Sequence, residues 1–86
     1  MTPERKLPRM RGRQLIKLAV KGGWVIKHRA THGVALVKKF YDRTRVTIIP
    51  DTRAELDDGT LSAIIGPKQM GIGKEGLFKL IDRYGV

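Results

Sequence analysis

Cysteine is absent from this chain of 86 residues, which excludes a disulfide framework and any cysteine zinc site. Long apolar runs are also missing. The longest, Val34 to Val37, covers four residues, far short of the roughly 20 that cross a bilayer. Lys17 and Lys21 interrupt the only stretch that could serve as the core of a secretion signal, so a soluble, cytoplasmic protein is expected. Aromatics are few, one Trp, two Tyr and two Phe. No basic amphipathic helix with exposed rings is evident, which argues against an anionic membrane surface as the target. The length itself excludes a two-domain enzyme, a TIM barrel or a full dinucleotide-binding fold.

Acid is scarce where base is abundant. The net charge is +10. Residues 1–16 carry five Lys or Arg against Glu4, residues 17–45 carry eight against Asp42, and residues 46–86 hold five against six acids. The first half therefore carries more than the whole excess. A charge beyond the ~2–8 that suits a small soluble domain, gathered in one half, points to a polyanionic partner, with nucleic acid ahead of a merely solvating surface. Leu, Ile, Val and Phe make up 24 of the 86 residues, too many for a disordered chain, so a small core is expected.

Residues 1–11 hold two Pro and mostly polar or basic groups and read as a flexible basic arm ahead of a single domain over 12–86. From Gly12, the stripe Leu15, Ile16, Leu18, Ala19 and Val20 predicts a helix that Gly22-Gly23 ends. Trp24 to Arg29 alternates as a strand, with Trp24, Ile26 and His28 on one face and Val25, Lys27 and Arg29 on the other. Val34 to Phe40 reads as a central strand. Arg45 to Ile49 reads as a third, with Val46 and Ile48 sharing a face and Pro50 closing it. Thr60 is placed as the cap of a short helix ending before Gly66-Pro67, and a last helix is expected over Lys74 to Tyr84 with Gly85 behind it. The order α-β-β-β-α-α, with adjacent antiparallel strands and the helices on one sheet face, predicts an α+β two-layer sandwich.

Two imidazoles, His28 and His32, are the only side chains whose ordinary pKa suits proton transfer at neutral pH. His32 follows a short polar turn between strands that carry Lys and Arg, where a phosphodiester would be drawn. The surrounding cations favour its neutral, proton-accepting form. His28 shares the Trp24 and Ile26 face and is assigned to the packing. A shared metal is not expected, because a turn separates the two His and the acids cluster beyond residue 50. Gly71 to Gly76 matches G-x-G-x-x-G literally, but Pro67, Lys68 and Gln69 precede it rather than a strand, so it reads as a connector. A P-loop fails too, since Glu75 follows Gly73-Lys74. Trp24 is assigned to the core. Asp57 and Asp58, adjacent in a loop, are read as solvating it.

The succession Gly23-Trp24, Thr31-His32, Ile49-Pro50, Glu55-Leu56 and Gly59-Thr60-Leu61-Ser62-Ala63-Ile64 resembles the HicA family of bacterial toxins over about residues 12–84. Ala30 stands where the family turn has Gly, and Asp51-Thr52 follow the strand-ending Pro where the family often has a His. The resemblance implies a double-stranded-RNA-binding-like α-β-β-β-α fold, here with an extra C-terminal helix. It also implies mRNA endonuclease activity without metal or cofactor, and a HicB-type antitoxin that covers the active site. It places the catalytic His at His32. Lys17, Lys21, Lys27, Arg29, Thr31, Lys38 and Lys39 are the expected RNA contacts, with Lys27, Arg29 and Lys38 as candidates for stabilising phosphorane charge. Two other readings stand beside this one. The first is a non-catalytic double-stranded-RNA-binding module. The second is a small DNA-binding protein, which lacks a helix-turn-helix.

Overall fold

The computed structural model describes residues 6–31 and 33–85. Six elements follow in chain order: α1 (Gly12–Lys21), β1 (Val25–Ala30), β2 (Gly33–Lys39), β3 (Thr44–Ile49), α2 (Asp58–Ile65) and α3 (Gly73–Tyr84). The strands form one antiparallel sheet in the order β1-β2-β3, and the chain is an α+β protein. Among the described residues no helix is long and apolar enough to cross a membrane.

Alternation along β2 and β3 decides what lies inside. Val34, Leu36, Thr47 and Ile49 are buried, and they join Leu15, Ile16, Leu18 and Ala19 of α1, Leu61, Ile64 and Ile65 of α2, and Leu77 of α3 in one core. Each fully buried Leu or Ile contributes about 1.5–3 kcal/mol. Val46 and Ile48 share a face as the sequence predicts, and with Val25 they form the side that the helices leave uncovered. Thr47 is the one buried polar side chain among the described residues, and its Oγ1 donates to Gln69 Oε1 at 2.8 Å. The same oxygen accepts from Ile48 N–H at 3.1 Å, so Gln69 also satisfies the outer edge of β3. Trp24 is buried as expected, and its ring meets Phe40 edge to face at 6.1 Å.

Four expectations are corrected. Met10, assigned to the arm, is 1 % exposed. Its carbonyl accepts from Leu56 N–H at 2.8 Å, and Arg11 bridges Glu55. A thioether two residues ahead of α1 is close enough to enter the core, so residues 10–11 belong to the domain; residues 1–5 of the arm lie outside the described residues. Val20 is exposed at 43 %, leaving Leu15, Ile16, Leu18 and Ala19 as the buried stripe. The cap of α2 is Asp57 rather than Thr60, with Asp57 Oδ1 accepting Thr60 N–H at 2.6 Å. His28 is exposed and does not pack with Trp24, for a reason that lies in the pairing of β1 with β2.

The seat of α1 explains a glycine. A Cβ on Gly12 would stand 1.8 Å from the Pro50 carbonyl oxygen, so only Gly lets the first turn of α1 reach the end of β3. Gly12→Ala is expected to cost about 3 kcal/mol and lower Tm by more than about 10 °C. Gly59→Ala, which meets only the Asp57 carboxylate at 3.5 Å, leaves Tm unchanged or higher; thermal melts compare the two.

Asp57 adds a pH signature. The Thr60 backbone N–H, and after it the Thr60 side chain, hold its carboxyl below the ordinary 3.8. A depressed native pKa stabilises above the unfolded value and is lost as pH falls through the native one. Asp57→Ala therefore lowers Tm at neutral pH, and its gap to the wild type closes as melts are taken below pH ~3.8.

Candidate nucleic-acid interface

In β1, Ile26 stands opposite Leu36 and the next paired residue, His28, stands opposite Ala35, leaving Lys27 as a β-bulge. One extra residue reverses the alternation beyond it. His28 therefore turns to the uncovered face beside Ala35 and Ile48. Arg29 moves to the helix-bearing face, opposite Val34 and in line with Ile49. The period-2 pattern places these two residues the other way round, and the bulge is the correction.

On that face Arg29 meets α1. Arg13 and Lys17, one turn apart, lie with Ile16, Arg29 and Asp51 around an open groove of about 330 Å³. Gly12 on Pro50 and Arg13 N–H on the Thr52 carbonyl, 3.2 Å away, hold the start of α1 there. Arg13 Nε binds Asp51 Oδ1 at 3.1 Å. Lys17 and Arg29 are exposed and form no ion pair among the described residues. No acidic residue occupies the first turn of α1, so Arg13 stands at the positive end of the helix dipole with Asp51 as its counter-charge, while Lys17 lies one turn further along the helix. Ala30 pairs with Gly33 at this same end of the sheet, and Thr31 is exposed beside it. His32 lies outside the described residues.

The other expected contacts are distributed differently. Lys27 is exposed at the bulge on the outer edge of β1. Lys38 lies four residues along β2 from Val34, about 14 Å, too far to join the groove. Its Nζ instead donates to the Gly22 carbonyl at 2.8 Å and sits 5.2 Å from the Phe40 ring centre, closing the C-terminus of α1. Lys38 is thus committed to the fold. Arg45 is likewise committed, bonding to the Pro67 carbonyl at 2.8 Å. Lys21 and Lys39, both exposed, share Lys38's end of the molecule. Arg13 is the groove residue that sequence reasoning left out; its place one turn before Lys17 was the available signal.

No family model, curated protein or solved structure matches this chain.

The groove makes a quantitative expectation. For a single-stranded polyanion, Lys17→Ala and Arg29→Ala each reduce the slope of log affinity against log salt by about 0.7. Arg13→Ala has a smaller effect because Asp51 already neutralises it, and Asp51→Asn strengthens binding. Lys79→Ala on α3 leaves affinity unchanged; salt titrations of fluorescence anisotropy separate these outcomes.

Proposed function

We propose that this chain is an RNA-cleaving toxin of the HicA kind, built on a double-stranded-RNA-binding-like α-β-β-β-α fold with an added C-terminal helix. The observation that carries the reading is the groove of Arg13, Lys17 and Arg29 at the end of the sheet where β1 passes into β2. The chain positions of Thr31-His32, and the succession of landmarks from Gly23-Trp24 to Gly59-Thr60-Leu61, support it further.

In this mechanism the cations gather a phosphodiester and His32 acts on the ribose. The imidazole takes the proton of a 2′-hydroxyl as its oxygen bonds to the adjacent phosphorus. The bond to the 5′ oxygen then breaks, leaving a cyclic phosphate and a 5′-hydroxyl, the departing oxygen taking its proton from solvent while the imidazolium later releases its own. In this reading Arg29 and Lys17 offset charge on the phosphorane, a part that Lys38, held on Gly22, does not share. The chemistry asks for no metal or cofactor, and its substrate, mRNA, places the activity in the cytoplasm.

A HicB-type antitoxin is the proposed partner, one that occludes His32. The sheet face free of helices carries Val25, Val46 and Ile48 exposed, with His28 and Lys39 on the same side. An acidic protein with an aliphatic patch complements such a surface.

Expression of the wild type is expected to arrest growth, while His32→Ala is tolerated. Purified protein cleaves labelled RNA in the presence of chelator, and a 2′-deoxy nucleotide at the scissile position blocks the cut. A folded His32→Ala protein that cleaves at the wild-type rate overturns the assignment. Salt-dependent binding to duplex RNA without fragments supports the non-catalytic module instead.

A further inference from the structure

The cations expected to touch RNA fall at two ends of the sheet, and only one end holds the groove. At the other, residues 40–43 join β2 to β3, and Phe40 N–H donates to the Arg43 carbonyl at 2.7 Å, leaving Tyr41 and Asp42 at the apex. Tyr41 is fully exposed, and its ring contributes nothing to the core. The residue before it is rooted: Phe40 lies between the edge contact with Trp24 and the Lys38 ammonium, which is itself held on the Gly22 carbonyl. Tyr41 is therefore a free ring on a fixed base. Lys39 and Lys21 are exposed at this end without an ion pair among the described residues. Among the described residues the Arg43 side chain pairs with its exposed neighbour Asp42, at 3.3 Å, a pairing that contributes little in water.

We infer that Tyr41 is a base-stacking residue that holds an unpaired nucleotide of the RNA whose phosphates lie in the Arg13, Lys17 and Arg29 groove. The inference rests on reading the chain as an RNA-binding protein, and not on the chemistry of His32. An aromatic face with cations beside it binds single strands through the face of any base. A duplex keeps its bases stacked within itself and offers such a ring nothing. Gly33 to Lys39 spans about 20 Å, the rise of about six stacked nucleotides at 3.4 Å each. The substrate class is thus single-stranded RNA long enough to bridge both ends of β2. A protein partner for the ring is the competing occupant, and the same experiment decides between them.

The test uses the full chain carrying His32→Ala, so that RNA stays intact. Anisotropy measures its affinity for a labelled single-stranded decaadenylate and for a duplex of the same length. Tyr41→Ala is expected to weaken decaadenylate binding at least about fivefold. Tyr41→Phe retains it, and duplex affinity and Tm do not change. Tyr41→Trp is quenched on adding decaadenylate, over a constant background from buried Trp24. Unchanged affinity of Tyr41→Ala, or an equal loss for single strand and duplex, overturns the inference while leaving RNA binding in place. If the protein with Tyr41 intact binds neither RNA, the proposed function falls and this inference falls with it.

Discussion

Between Ile26 and His28, β1 carries one residue more than β2 has partners for. Which side chains meet α1 follows from that surplus. Without the bulge, Arg29 would lie on the open sheet face and His28 would be pressed toward the core, where an imidazole needs a hydrogen-bond partner. With it, the strand still contributes Ile26 opposite Leu36, then turns its last cation toward Arg13 and Lys17. A bulge on an edge strand has a second effect. With Lys27 exposed at the kink, it makes the outer edge of β1 a poor template for another strand. The opposite edge is protected by other means, since Gln69 and Arg45 tie β3 to the segment that leads into α3.

Much of this was legible in the sequence. The stripe Leu15, Ile16, Leu18 and Ala19, the Gly pair after it, the three short strands and the Leu77-centred last helix follow from periodicity and breakers, which depend on near neighbours. The differences arise where a local pattern has two physical solutions. Trp24, Ile26 and His28 continue an unbroken alternation, and nothing in them marks an inserted residue, because a bulge is set by pairing with β2. Asp57 and Thr60 are both good capping residues three apart; the carboxylate one turn ahead of the hydroxyl took the role, and Thr60 supplies the N–H it accepts. Met10 sits among Pro and Arg, and its burial depends on Leu56, more than 40 positions away.

The candidate site was less legible, for a related reason. Charge counts along the chain locate an excess without saying which cations are free. Lys38 and Arg45 look like Lys39 and Arg43 in sequence, yet their side chains bond to main-chain carbonyls at Gly22 and Pro67. What separates them is strand parity: Lys38 and Arg45 are cross-strand partners on the helix-bearing face, while Lys39 and Thr44 are the next pair, on the other face.

The two ends of α1 bring fold and site together. At its C-terminus the helix presents carbonyls to Lys38, and the dipole is complemented within the chain. At its N-terminus the complement comes from the segment after β3. The first turn has no acid, Arg13 shares its charge with Asp51, and Lys17 and Arg29 stand open to solvent. The carboxylate there is Asp51, brought from beyond β3, whereas at the start of α2 the local residues Asp57 and Asp58 supply theirs. One protein thus solves the same problem two ways at two helix starts. The start of α1, where Asp51 is shared with Arg13, lies at the end of the sheet where β1 passes into β2, and the cations left open beside it carry the charge opposite to a phosphate's.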